Sequence, residues 1–203
     1  MRSPMRAVVT GAAGFLGSAL VDRLLADGHQ VVGIDNLSTG SVANLESALR
    51  IGSAGRRFTL IRRDVQAPEL TDIIAGTNPG VIFHLAAQAD AEASWAEPSF
   101  DARSNVLGTI NLCEAARRAG VARIVYITDG VSRSCSPNAV ARAAGEMYLH
   151  AYAERYGLTP ICLPLPPVDA SSLADAVDDL VCAGCTPVVP GCYGVDYDRR
   201  EAG

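Results

Sequence analysis

The chain alternates short apolar runs with longer segments whose apolar residues recur at helical spacing. Residues 6–9 form a buried-strand run. Residues 18–26 then place apolar side chains every three or four positions and stop at Gly28, the pattern of a helix packed on one face. Residues 31–34 are a second apolar strand, ending on Asp35. Residues 42–51 predict a helix, 58–62 a third strand, and Pro68 the first turn of a helix ending near Gly76. Residues 81–85 are a fourth strand. A polar stretch around Trp95 and Pro98 leads into one long helix, 100–119, ended by Gly120. A fifth strand, 123–128, is followed by a loop at 129–137 and a second long helix, 139–156, with Gly157 as its stop. Residues 159–163 are a sixth strand, after which Pro164, Pro166 and Pro167 interrupt regular structure. Residues 173–182 read as a helix, 188–189 as a short extended piece and 193–203 as a polar tail. Continuously apolar strands alternating with helices predict a parallel sheet covered on both faces, a doubly wound α/β fold.

Composition narrows the picture. The 203 residues suit one domain with a sizeable core, and 49% of them are hydrophobic. A net charge of −5 without a basic patch argues against nucleic acid as a partner. No run reaches the roughly 18 apolar residues of a membrane span, and residues 1–5 are too short and polar for a signal peptide. A soluble cytoplasmic protein is the expectation. All 17 basic residues are arginine; lysine is absent. Of the six cysteines, Cys182 and Cys185 form a C-x-x-C, with Cys192 seven residues on. Zinc would need a fourth ligand, and His29, His84 and His150 are distant in sequence. A redox pair would belong at a helix start. No metal is therefore expected, and the thiols read as buried or incidental.

The chemistry concentrates between the first two strands. Gly11-Ala12-Ala13-Gly14-Phe15-Leu16-Gly17 joins a strand to a helix. Such a turn presents backbone N–H groups and the positive end of a helix dipole to a pyrophosphate. Asp35, at the end of the second strand, can accept hydrogen bonds from an adenosine ribose and would repel a 2′-phosphate, with no arginine beside it to welcome one. Dinucleotide binding is the reading.

With these motifs in place the sequence resembles the extended short-chain dehydrogenase/reductases, in their nucleotide-sugar epimerase/dehydratase branch (UDP-glucose 4-epimerase-like). The likeness runs from about Arg6 to Leu163. It is carried by the glycine turn, by Asp35-Asn36-Leu37-Ser38-Thr39-Gly40, by Phe83-His84-Leu85-Ala86-Ala87-Gln88-Ala89, by Asn105-Val106-Leu107-Gly108-Thr109 and by Ala144-Gly145-Glu146-Met147-Tyr148. The resemblance implies the Rossmann form of the fold over 1–165, with 166–203 a short C-terminal remnant packed on it. It implies NAD along Gly11, Gly14, Phe15, Leu16 and Gly17, ribose contacts at Asp35 and Asn36, and adenine contacts near Asp64 and Val65. It places Leu85, Ala86 and Ala87 beside the phosphates and nicotinamide ribose, and Asn105 on the helix beneath the site. Read from the residues alone, Asp64 is equally a helix N-cap, and Asn105 equally a group satisfying backbone across a helix. His84 reads as a core histidine. Tyr148, Tyr152 and Tyr156 share one helix face and read as core or dimer packing. The family habit implies a homodimer through the two long helices, and a nucleotide sugar or other small molecule as ligand.

The sequence departs from that family where protons move. The family's tyrosine, and the lysine four residues later, fall on Asn138 and Arg142. Tyrosine accepts a proton only if its pKa falls from about 10, which a neighbouring ammonium favours. Asparagine has no usable proton equilibrium, and arginine has no proton to exchange. Thr128 and Ser132 are the remaining candidates of the serine/threonine element. The loop before Asn138 is about twenty residues shorter than the family's, and most of the substrate-binding C-terminal portion has no counterpart. Two readings stay open. One is an NAD-binding member whose epimerase chemistry is lost, a pseudoenzyme. The other is an active epimerase, dehydratase or oxidoreductase, or a lyase or cyclase, using Thr128, Ser132 or a water as base.

Overall fold

The computed structural model describes residues 4–55, 57–128, 136–165 and 168–185. In chain order the elements are β1 (Arg6–Thr10), α1 (Phe15–Ala26), β2 (Gln30–Asp35), α2 (Glu46–Gly55), β3 (Phe58–Arg62), α3 (Leu70–Thr77), β4 (Val81–His84), α4 (Ala91–Ala96), α5 (Pro98–Ala102), α6 (Gly108–Ala119), β5 (Arg123–Thr128), α7 (Pro137–Tyr156), β6 (Thr159–Pro164) and α8 (Leu173–Cys185). The six strands form one sheet in the order β3-β2-β1-β4-β5-β6, and each pairing is parallel. This is the doubly wound sheet that the alternating pattern predicts.

Alternate residues of the strands feed two cores. Ala7, Val9, Val31, Phe83, Val125 and Leu163 pack against α1 and α8. Val8, Ile34, Ile82, Ile124, Tyr126 and Cys162 pack against α3, α6 and α7. Both faces are covered, which is why the polar residues of the strands stand mostly at their ends. The chain winds outward from β1 in one direction to β3, then returns to β4 on the other side. The carboxyl ends of β1 and β4 therefore part helices that lie on opposite faces, and a crevice opens there.

Several boundaries differ from the expectation. The first helix starts at Phe15, so Phe15, Leu16 and Gly17 form its first turn. The predicted helix at 42–51 begins as a 3₁₀ turn, Val42–Leu45, capped by the Ser41 side chain accepting from the Ala43 N–H. Pro68 lies ahead of α3 rather than in its first turn. The polar stretch around Trp95 is helical: the Asp90 carboxylate caps α4 by accepting from the Ala93 N–H at 2.9 Å. Pro98, lacking an N–H, starts α5 instead of continuing α4. The expected single helix over 100–119 is in fact α5, a π-helical segment Arg103–Leu107, and α6. Helix α8 runs on past 182 because its last turn fits beneath the sheet. A Cβ on Gly184 would lie 2.2 Å from Phe83 Cζ, so only glycine lets the helix approach so closely. The C-x-x-C thus occupies the end of a helix, not its start. No helix among the described residues is long and apolar enough to cross a membrane.

Candidate functional site

A cleft of about 830 Å³ opens at the carboxyl ends of β1 and β4. Its floor is the glycine turn. Gly11 sits at φ +69°, and a Cβ there would meet the Ala86 nitrogen at 2.8 Å. A Cβ on Gly17 would lie 2.0 Å from the Gly11 carbonyl oxygen. Both glycines are therefore required for helix α1 to begin directly behind the strand ends. Gly14 is the helix N-cap and offers no side chain, and the first turn carries no acidic residue. The first amides of α1 lack intrahelical acceptors by the geometry of any helix and are left for a ligand.

At one end of the cleft stands Asp35. It is buried, with its Oδ2 accepting from the Ala13 N–H at 2.9 Å and its Oδ1 from the Leu37 N–H at 2.7 Å. The carboxylate thus ties the end of β2 to the glycine turn at the edge of the cleft. Leu37 is driven to φ +61°, a strained left-handed conformation for a side-chain-bearing residue. Asn36 donates from Nδ2 to Asp64 Oδ2 at 2.7 Å, and Asp64 Oδ1 accepts from the Gln66 N–H at 2.8 Å. Asp64 is not the N-cap of α3, which is Glu69. Gly11, Gly14, Phe15, Leu16, Gly17, Asp35, Asn36, Asp64, Val65, Leu85, Ala86 and Ala87 all line this one cleft. Arg63 lines it too, contrary to the expectation that no arginine stands near Asp35. Its backbone N–H donates to the Asp35 carbonyl at 3.1 Å, while its Nη1 donates to the Arg62 carbonyl at 2.9 Å. Sequence reading missed it because the contact comes from the pairing of β2 with β3.

Asn105 is placed differently. It is buried under the cleft and does not line it. Its Oδ1 accepts from the Gln88 N–H at 2.8 Å and its Nδ2 donates to the Gln88 carbonyl at 3.0 Å, so it satisfies both backbone groups of one loop residue. The π-helical segment carries it to that position. Asn138, on the first turn of α7, also donates from Nδ2 to the Gln88 carbonyl. Asn138 and Arg142 line the cleft, and Arg142 Nη2 donates to the Ile127 carbonyl at 3.2 Å. Thr128 is buried at the end of β5, where its carbonyl accepts from the Leu165 N–H at 3.2 Å, and it does not line the cleft. Ser132 lies outside the described residues.

One tyrosine does line the cleft. Tyr126 is almost wholly buried, and burial pushes its phenol up to about 12. Its hydroxyl donates to the Arg142 carbonyl at 3.1 Å. Beside it His84 is packed at 5.6 Å between ring centres. His84 Nδ1 lies 2.8 Å from Thr10 Oγ1, and Nε2 lies 3.1 Å from Thr109 Oγ1. Thr109 donates its hydroxyl to the Asn105 carbonyl, so it accepts from His84, and the proton is assigned to Nε2. Nδ1 then accepts from Thr10, whose oxygen accepts from the Ala86 N–H at 3.2 Å. His84 is a structural histidine that fixes the strand ends around the cleft. On α7, Tyr152 donates to Glu114 of α6 at 2.7 Å, and Tyr156 packs on Tyr152 with its ring tilted by 51°, while Tyr148 remains exposed.

Comparison with known proteins gives one consistent answer. The model of the NAD dependent epimerase/dehydratase family matches residues 7–168. The UDP-glucose 4-epimerase of Mycolicibacterium smegmatis is 45% identical over 170 residues, which cover 76% of this chain and 53% of that protein. Among solved structures, the Thermotoga maritima UDP-glucose 4-epimerase with UDP-glucose is similar with a TM-score of 0.69 and 32% identity, over 78% of this chain and 54% of that one. The Thermus thermophilus UDP-glucose 4-epimerase complex with NAD gives a TM-score of 0.68 and 34% identity over the same shares. The chain spans about half the length of the curated relatives it matches first.

The network around His84 sets a pH limit. Burial, then the nearby Arg142 charge, lowers its pKa from 6.5 to about 4. Between those values the unfolded chain binds the extra proton and the folded one does not. Stability is thus fully present above about pH 6.5 and falls as the pH drops toward 4, by on the order of 3 kcal/mol at most. Proton NMR should show the His84 imidazole neutral down to about pH 5. Titration near the ordinary value of about 6.5 would contradict the network.

Proposed function

The chain belongs to the NAD dependent epimerase/dehydratase family, and on that premise we propose that it binds NAD in the cleft but does not carry out the family's usual proton transfer. The residues present fit the cofactor. Gly11 and Gly17 leave the space a Cβ would fill, the first turn of α1 offers unpaired amides for a pyrophosphate, and Asp35 offers a carboxylate for a ribose. Asn36, Asp64 and Val65 would hold the adenine end, and Leu85, Ala86 and Ala87 the nicotinamide end. When bound, NAD supplies a hydride acceptor.

What supports loss of the usual chemistry is the state of Asn138. Its amide is committed to the Gln88 carbonyl, and an amide does not ionise near neutral pH. Tyr126 does not replace the missing tyrosine. Its pKa lies near 12, and its hydroxyl faces a carbonyl rather than a base. Arg142 keeps a positive charge in the cleft wall, which can hold ribose hydroxyls without moving a proton. A nucleotide sugar is the proposed ligand of the remaining cleft, by the likeness to epimerases that bind UDP-sugars.

NAD should bind in preference to NADP, because the Asp35 carboxylate is fixed in place and the Arg63 guanidinium is bonded to the Arg62 carbonyl. Calorimetry with both cofactors tests this, and Asp35→Ala should weaken NAD while narrowing the difference. Equal or tighter NADP binding would reject the assignment.

Conversion of UDP-glucose to UDP-galactose by the protein with NAD should be slow. Losing a positioned acid–base group costs about 10²–10⁴ in rate. Asn138→Tyr with Arg142→Lys should restore little, because Asn138 also holds the Gln88 loop. Turnover of the unmodified protein near 1 per second or faster, about the ordinary enzyme range, would overturn the pseudoenzyme reading.

We propose a symmetric dimer through α6 and α7. Val140 is 62% exposed and Met147 71%, both on α7, and Leu107 just before α6 is 54% exposed. Apolar side chains gathered in this way favour association. Light scattering should give twice the 21.2 kDa chain mass, and Met147→Glu should give the monomer. A wild-type monomer at micromolar concentration would remove the proposal.

A further inference from the structure

Outside the cleft, helix α7 and strand β6 bring together three side chains of different chemistry. Glu146 and His150 are one helical turn apart on α7, so they share a face. Cys162 sits in β6 among the residues that pack beneath α7, and is buried. A Glu146 carboxylate oxygen, a His150 ring nitrogen and the Cys162 sulfur all lie within 4.8 Å of one another. Glu146 Oε1 and His150 Nε2 are 3.7 Å apart. None of the three lines the cleft.

We propose that Glu146, His150 and Cys162 form a binding site for a divalent metal ion of the zinc class. Bonds of about 2.0–2.3 Å to a tetrahedral zinc ion leave its ligand atoms about 3.3–3.8 Å apart. The observed spacing reaches that range with small side-chain rotations. The mixed sulfur, nitrogen and oxygen set suits zinc and cobalt, whereas calcium and magnesium want oxygen alone. Three protein ligands leave a fourth position. Glu146 and His150 are only half-buried, so water reaches it. As the metal–sulfur bond forms, the thiol proton passes to solvent. A bound ion would pin α7, the helix that carries Asn138 and Arg142, to the sheet.

The test is a cobalt(II) titration of the whole chain under reducing conditions, followed by thiolate-to-cobalt absorbance and reversed with zinc. Four proteins are compared: the unmodified chain, Cys162→Ala, Cys182→Ser with Cys185→Ser, and His150→Ala. The expected result is a charge-transfer band in the first and third and none in Cys162→Ala. His150→Ala, at a half-exposed helix position, should weaken binding by at least about 100-fold and serves should Cys162→Ala fail to fold. Absence of the band in the unmodified chain would overturn the proposal. So would a band that survives loss of Cys162 or full-strength binding without His150.

Discussion

Everything in this structure depends on how closely helix α1 starts behind the sheet. The Gly11 carbonyl and the Gly17 Cα are in contact where any Cβ would collide, and Gly11 itself abuts the Leu85–Ala86 backbone. Strands β1 and β4 and helix α1 therefore meet at one point. The Asp35 carboxylate locks that point from the β2 side through the Ala13 N–H, and the Thr10–His84–Thr109 chain locks it from the β4 side. A rigid floor of backbone amides results, facing the cleft at the place where the winding of the sheet reverses.

The two ends of the cleft have different characters. Around Asp35 the polar groups are held by the backbone yet still have capacity to accept. Around Gln88 several are bonded to the loop and strand backbone. Asn105 takes both Gln88 backbone groups, Asn138 adds a second donor to the same carbonyl, and Arg142 leans on Ile127. The first end presents groups that can accept from a ligand, and at the second Asn105 and Asn138 bond to the Gln88 backbone. An amide and a guanidinium can position a ligand, but neither ionises near neutral pH.

Much of this was legible in the sequence because it rests on local rules. Continuous apolar strands, the glycine turn and Asp35 at a strand end each carry their own signal, and the cleft gathers the turn residues and Asp35 together with Asn36, Asp64, Val65, Leu85, Ala86 and Ala87, which the family resemblance implied. What was illegible depends on partners far apart in the chain. Arg63 reaches the cleft only through β2–β3 pairing, and Gly184 extends α8 only because Phe83 lies above it. Helix α4 was hidden by its polar composition, although Asp90 three residues before Ala93 was a capping signal. Asn105 was read as lying beneath the site or as satisfying backbone groups, and the π-helical segment holds it there on the Gln88 backbone. The Glu146–His150–Cys162 cluster was missed because ligands were sought around Cys182, Cys185 and Cys192, from which His150 is distant in sequence; the helical Glu–His pair opposite a strand cysteine was the signal available.

The most direct test of the central claim is a crystal structure of the protein grown with NAD. The account predicts pyrophosphate density over the first turn of α1, an adenosine ribose on Asp35, and Asn138 still bonded to the Gln88 carbonyl. An empty cleft at saturating NAD, or a cofactor bound elsewhere, would contradict it.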